Sequence, residues 1–122
     1  MIKGFEDITD NLTDQEKKSM EMIVRGPRVR VGKDKAITNK QICNAMRGFG
    51  HNLTGARVRK IIHHIRVVGL VDRLIATSSG YYIASDDAEL KVYIDSLRQR
   101  RESINEVEEA LKSQMHKQLK MF

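Results

Sequence analysis

Apolar side chains recur at helical spacing through residues 52–68, and this stretch is the starting point for interpreting the 122-residue chain. Thr54 supplies a hydroxyl suited to capping the start of a helix. Four apolar residues then follow at the i, i+3, i+4, i+7 spacing of an amphipathic helix: Val58, Ile61, Ile62 and Ile65. The pattern predicts a helix that buries this stripe in a core.

The opposite face of that helix is basic, and no acidic residue lies between Thr54 and Val71. Such a face is either an ordinary solvated surface or a surface that binds a polyanion. Solvated faces usually mix charges, because i,i+4 pairs of opposite sign support the helix. Charge of one sign therefore favours a helix that reads DNA. The residues on and beside this face are Ala56, Lys60, His63 and Val67, with Arg57, Arg59, His64 and Arg66.

Two capping boxes predict two earlier helices. Thr13 with Glu16 begins the first, which should end before Gly26-Pro27, and Thr38 with Gln41 begins the second. The positions expected to face the core are Met20, Ile23 and Val24 in the first helix, then Ile42, Cys43, Ala45 and Met46 in the second. Residues 1–12 are interpreted as an amino-terminal arm, with Phe5, Ile8 and Leu12 as anchors. Between the second helix and the basic helix, Phe49 and Leu53 are expected in the core.

Residues 26–35 have two possible interpretations. Arg28, Val29, Arg30 and Val31 alternate as in a short strand or hairpin with the arginines on one side, but the segment also fits a polar loop. In either case its basic side chains, Arg28 and Arg30 among them, are candidates for contacts with a nucleic-acid backbone.

A β-hairpin is predicted after the basic helix, which Gly69 should end. Residues 70–76 are rich in branched apolar side chains, residues 77–80 have turn composition, and residues 81–84 return as the partner strand. Ser85 then caps a long helix over residues 86–122, about 50 Å in length. Its apolar residues fall on steps of three and four, which predicts self-association as a dimer or higher oligomer through Leu97, Ile104, Leu111 and Met115. The alternative is a single amphipathic helix that binds another protein.

Charge is concentrated in the middle of the chain. Residues 25–84 hold 12 basic and 2 acidic side chains, whereas residues 1–24 hold 3 and 6 and residues 85–122 hold 7 and 8. This distribution points to a polyanionic partner for the middle segment.

The remaining composition argues against other classes of protein. The lone Cys43 predicts no disulfide and a reducing cytoplasmic setting, and no stretch resembles a signal peptide or membrane span. The histidines do not converge as zinc ligands, so no metal or cofactor is expected. The chain has no Gly-rich phosphate loop and no activated nucleophile, so it is not expected to be an enzyme.

The order of these elements resembles the winged helix-turn-helix family between Thr13 and Ser85. The matching segments are ITNKQICNAM for the second helix, NLTGARVRKIIHHIRVVGLV for the third and DRLIATSSGYYIASD for the wing. They are similar to biotin-repressor-like winged helices and to small winged-helix proteins of bacteriophages and mobile elements. The resemblance implies a fold that is mainly α with a small β-hairpin (winged helix), followed by a long C-terminal α-helix.

In that family the third helix enters the major groove of double-stranded DNA and the wing touches the neighbouring backbone. The resemblance therefore implies a recognition surface of Gly55, Ala56, Arg57, Arg59, Lys60 and His63. It also implies wing contacts from Thr77, Ser78 and Ser79 with Arg73 close by, and phosphate contacts from Thr38 and Lys40. We expect a sequence-specific DNA-binding protein that regulates transcription. The alternative is an oligomeric packaging or replication accessory protein of a phage, in which assembly is the main role.

Overall fold

The structure is a computed structural model that describes residues 12–121, with the side chains of residues 12–115. In chain order its elements are helix α1 (Asp14–Ile23), helix α2 (Arg25–Arg28), a 3-10 turn (Lys33–Lys35), helix α3 (Asn39–Gly48), helix α4 (Gly55–Val68), strand β1 (Leu74–Thr77), strand β2 (Gly80–Ile83) and helix α5 (Asp87–Met121). The protein is mainly α with a small β-hairpin and a long carboxy-terminal helix, as the sequence predicts. It divides into two compact units between Asp86 and Asp87. We call the described residues 12–86 the head.

The core of the head forms around α4. All four residues of its predicted apolar stripe are buried, with no more than 2% of any side chain exposed. Each such burial stabilises the fold by roughly 1.5–3 kcal/mol. The stripe is covered by the end of α1, by α3 and by the hairpin, through Ile23, Val24, Ile42, Met46, Leu74 and Tyr81. Leu12 also joins this core, whereas Phe5 and Ile8 lie outside the described residues.

Both predicted capping boxes are present. The Thr13 hydroxyl accepts the Glu16 N–H and the Glu16 carboxylate accepts the Thr13 N–H, and Thr38 and Gln41 form the same pair at the start of α3. Helix α1 ends before Gly26-Pro27 as predicted. The short α2 then contains both of these residues, because a proline in the first turn of a helix loses no hydrogen bond there.

The hairpin is confirmed, with a shorter first strand than the sequence suggests. Leu74 pairs with Ile83 and Thr77 with Gly80, so the loop consists of Ser78 and Ser79. The strand does not begin at residue 70, because Arg73 has a positive φ of 63° that turns the chain away from extended geometry.

A third segment joins the edge of the hairpin at Ile37. The Ile37 N–H donates to the Tyr81 carbonyl at 2.9 Å, and the Tyr81 N–H donates to the Ile37 carbonyl at 2.8 Å. This bridge fixes the residue immediately before the Thr38 cap, so the hairpin positions the start of α3.

Two expectations about buried residues are wrong, and the two open interpretations of residues 26–35 can now be compared with the structure. Residues 26–35 do not form a hairpin: they contain most of α2, the 3-10 turn and a connecting loop, in which Val31 makes a single bridge to Ile83. Phe49 is 70% exposed, because the chain reverses at Gly50 with φ of 85° and brings Leu53, not Phe49, into the core. Ala45 is also exposed, since only Ile42 and Met46 of α3 face the core directly.

Helix α5 comprises 35 residues and is therefore about 52 Å long. The predicted self-association residues Leu97, Ile104, Leu111 and Met115 are all exposed in the single chain. Charged side chains line the helix beside them, and Lys112 bonds Glu108 at 2.9 Å and Glu109 at 3.6 Å. The exposed apolar positions of α5 thus remain available to a partner.

Candidate nucleic-acid interface

The outward face of α4 is basic and accessible. Ala56, Arg57, Arg59 and His63 are exposed, and they lie opposite the buried stripe. Thr54 caps the helix, because its hydroxyl accepts the Arg57 N–H at 3.2 Å. The amino end of a helix carries partial positive charge and outward-pointing N–H groups, so this end of α4 suits a phosphate.

Asn39 fixes the amino end of α4 to the rest of the head. Its side-chain N–H donates to the Gly55 carbonyl at 3.1 Å, and its side-chain oxygen accepts the Tyr81 hydroxyl at 3.1 Å. One residue therefore ties α3, α4 and β2 together. Thr38 and Lys40 flank Asn39 in the chain, at the end of α3 that Asn39 holds against α4.

Burial raises the pKa of the Tyr81 hydroxyl, although the nearby charges of Arg59 and Arg66 act in the opposite direction. The hydroxyl therefore stays protonated and continues to donate to Asn39 at neutral pH. The link holds the amino end of α4 in place without adding negative charge to the basic face.

The small side chains at Gly55 and Ala56 have different structural explanations. Gly55 is half-buried, and a Cβ atom built on it would lie 3.0 Å from the Asn39 side-chain nitrogen. Packing against Asn39 thus explains Gly55. Ala56 is exposed, so its small size leaves the surface of α4 open to close approach.

Lys60 of α4 is paired with an acid of α1. Its ammonium lies 3.1 Å from a carboxylate oxygen of Glu16, and the two side chains are only 14% and 6% exposed. Burial alone would raise the pKa of Glu16, but the Thr13 N–H and the Lys60 charge outweigh this and hold that pKa below its ordinary value. Lys60 thus joins α4 to α1.

Helices α3 and α4 are linked by residues 49–54, and this link is held to α1. Ser19 is fully buried, and its hydroxyl lies 3.1 Å from the His51 ring nitrogen Nδ1. The His51 N–H also donates to the Met46 carbonyl at 2.9 Å. These bonds give the six-residue link a defined path.

The other predicted contact residues lie with the hairpin. Thr77, Ser78 and Ser79 are exposed at its tip, where the Thr77 hydroxyl accepts the Ser79 N–H at 3.2 Å. Arg73 is half-buried just before β1. Arg28 is exposed, and the Arg30 carbonyl accepts the Ile83 N–H at 2.7 Å, which places both arginines beside β2.

Comparisons with protein-family models, curated proteins and solved structures found no match to this chain. Within residues 12–121, every helix is too short or too polar to cross a membrane. Among the side chains of residues 12–115, no group of three or more His, Cys, Asp or Glu residues is arranged to hold a metal ion.

Glu16, Asn39 and Tyr81 shape this surface and were not predicted as part of it. Glu16 was assigned only to a capping box, and Tyr81 only to a strand. Their partners lie 44, 16 and 42 residues away in the chain, at Lys60, Gly55 and Asn39. The spacing of neighbouring residues in the sequence does not indicate which side chains so far apart will form hydrogen bonds or ion pairs.

Proposed function

We propose that this protein binds double-stranded DNA through the exposed face of α4, as a sequence-specific transcriptional regulator of bacterial or phage type. The observation that carries the proposal is the accessible set of Arg57, Arg59 and His63 beside the open amino end of α4. No acid of α4 competes with these residues. Glu16, which approaches the helix from α1, is occupied by Lys60.

The arrangement of the head supports this proposal. Helices α3 and α4 pack together and are followed by a hairpin with an exposed polar tip, which agrees with the resemblance to winged helix-turn-helix domains. In this proposal α4 lies in the major groove, Lys40 and the amino end of α3 meet phosphate, and Ser78 and Ser79 touch the neighbouring backbone. Because Lys60 is paired with Glu16, we assign it to stabilising the head and propose DNA contacts from its exposed neighbours instead.

Self-association through α5 would supply a second head. Two heads on one oligomer can occupy two half-sites, and the second binding event is then intramolecular. The exposed apolar residues of α5 support this part of the proposal.

A salt titration of duplex binding tests the proposal. Arg57→Ala should lower the affinity about tenfold or more and reduce the slope of log affinity against log salt by about one, because one cation near phosphate is lost. Arg47→Ala is the matched control. Arg47 is exposed in α3, but it lies eight residues, or about 12 Å, along that helix from the Asn39 contact with α4.

Fluorescence anisotropy with a labelled duplex, between about 50 and 200 mM salt, measures both quantities. If Arg57→Ala and Arg47→Ala lose equal affinity for the duplex, binding would be non-specific attraction between DNA and a basic protein, and the proposed surface would be contradicted. Absence of binding at the lowest salt would refute the proposal. Selection from a pool of random duplexes tests specificity, and we expect one enriched motif.

A further inference from the structure

The charged residues within the apolar stripe of α5 indicate how two copies would pair. The stripe runs through Leu90, Ile94, Leu97, Arg101, Ile104, Glu108, Leu111 and Met115, in steps of four and three. Arg101 and Glu108 therefore occupy seam positions in a helix pair, seven residues apart. Both are exposed in the single chain.

We infer that α5 pairs with α5 of a second copy in antiparallel orientation, centred near residues 102 and 103. This inference rests on the proposed self-association and extends it by fixing orientation and register. A parallel pair in register sets Arg101 against Arg101 and Glu108 against Glu108 of the second copy, and like charges in a seam repel. The antiparallel pair avoids both contacts.

The proposed register joins apolar residues towards the two ends of the pair and brings opposite charges together near its centre. Ile94 then faces Leu111 of the second copy, and Leu90 faces Met115. In the central layers Leu97 faces Glu108 and Arg101 faces Ile104, so Arg101 lies about 6 Å along the axis from Glu108 of the second copy. More broadly, the basic segment 98–101 lies alongside the acidic segment 102–109 of the second copy.

The competing bonds within one chain do not prevent this arrangement. Lys112 bonds Glu108 and Glu109, but these three side chains are 56–62% exposed. Exposed pairs of this kind contribute little stability, so Glu108 can exchange them for a contact with Arg101 of the second copy.

The antiparallel register also separates the two points at which the heads join. Asp87 of one copy lies opposite residue 118 of the other, so the starts of the two helices are about 46 Å apart along the pair. A parallel pair would instead hold both starts at one end.

Disulfide trapping of the full-length chain tests the orientation. In a Cys43→Ala background, which removes the free cysteine that the structure describes, Ile94→Cys and Leu111→Cys proteins are mixed in equal amounts in a redox buffer. The antiparallel pair predicts that the mixed disulfide between positions 94 and 111 outweighs the two symmetric disulfides together at least about tenfold, whereas random pairing would make the two amounts equal. Predominance of the two symmetric disulfides would show a parallel pair and overturn the inference.

The matched control uses the same register on the outer face of the pair. Gln99→Cys mixed with Glu106→Cys should give no disulfide, because those side chains point away from the partner. Disulfide yields equal to those of the 94 and 111 pair would indicate random collision and would also overturn the inference.

Arg101→Glu provides an independent test by sedimentation equilibrium. In the antiparallel pair the substitution places a second carboxylate beside Glu108 of the second copy, so dimer affinity should fall at least tenfold. In a parallel pair it only replaces one like-charge contact by another, and an unchanged affinity would contradict the inference.

A wild-type chain that stays monomeric but binds duplex DNA would overturn the pairing and leave the DNA proposal standing. If the antiparallel disulfide forms but the protein does not bind duplex DNA, the pairing would stand and the DNA proposal would be overturned.

Discussion

Gly80 shows how a single position holds the hairpin against the rest of the head. Its φ is 118°, a conformation that residues with a side chain rarely adopt. A Cβ atom there would also lie 2.5 Å from the carbonyl oxygen of Ile37. The bridge between Ile37 and Tyr81 therefore requires glycine at this position for two separate reasons.

Gly80→Ala should lower the free energy of unfolding by about 2–4 kcal/mol, because the substitution adds both backbone strain and a collision with backbone. Gly48→Ala is the matched control. Gly48 lies in α3 with nothing within 4 Å of an added Cβ, so alanine should be neutral or stabilise by up to about 1 kcal/mol. Urea unfolding followed by tyrosine fluorescence compares the two variants. A Gly80→Ala protein as stable as wild type would contradict this view of the turn.

At single positions, the sequence predicts burial better than it predicts contacts. The four apolar residues of α4 are all buried as expected, because helical spacing alone determines which side chains share a face. The prediction for Phe49 is wrong, because its exposure depends on how Gly50 turns the chain. The roles of Asn39 and Tyr81 could not be predicted, since they depend on which elements meet in space.

At the scale of elements, the ion pair between Glu16 and Lys60 joins α1 to α4. One Glu16 oxygen accepts both the Thr13 N–H at 2.9 Å and the Lys60 ammonium at 3.1 Å. The same carboxylate thus closes the capping box of α1 and neutralises the half-buried ammonium of Lys60 on α4. Removing either partner leaves a buried charge without its counter-ion, which is costly.

The pKa of Glu16 gives this pair a characteristic pH dependence. Because the pKa in the folded protein is lowered, the ionised form stabilises the fold at pH values above the ordinary glutamate value of 4.5. That contribution is lost as the pH falls through the folded-state pKa, when the carboxyl group becomes protonated in both states.

Glu16→Gln should therefore cost about 1–3 kcal/mol of stability at pH 7 and progressively less on acidification below pH 4.5. Glu21→Gln makes the same chemical change at an exposed position of α1 and serves as the control. Denaturant unfolding across the acidic range measures the difference between the variants. A Glu16→Gln deficit that stays constant with pH would show that the carboxylate charge is not responsible.

Elements with local signals were predicted, and elements defined by distant contacts were not. The two capping boxes are complete within four residues, so the starts of α1 and α3 follow from the sequence. The alternating residues 28–31 suggested a strand or a loop, but Arg28 still belongs to α2 and only Val31 forms a bridge, to Ile83 of β2. Similarly, β1 starts later than its composition suggests because Arg73 has left-handed geometry.

At the scale of the whole molecule, the distribution of charge is the main link between sequence and function. The excess of basic residues in residues 25–84 can be counted directly, but the exposed subset cannot. The structure separates Arg57, Arg59 and His63, which are exposed on α4, from Lys60, which is paired with an acid of the amino-terminal segment. Binding to DNA, as proposed, depends on the first set.

The separation of the chain into a head and α5 is also consistent with this division of roles. The heptad spacing predicted exposed apolar positions on α5, and the structure has Leu97, Ile104, Leu111 and Met115 exposed. Arg101 and Glu108 interrupt that spacing, and these two charged positions are the basis for the antiparallel orientation that we infer. In this proposal the head contacts DNA and α5 determines how many heads act together.

Amide chemical-shift mapping on addition of a short duplex, at about 50 mM salt, locates the DNA-binding surface directly. We predict that the largest changes occur in residues 54–63 and at the hairpin tip, residues 77–79, and that they weaken as salt is raised. Changes confined to α1 or α5, with the amino end of α4 unaffected, would contradict the proposed interface.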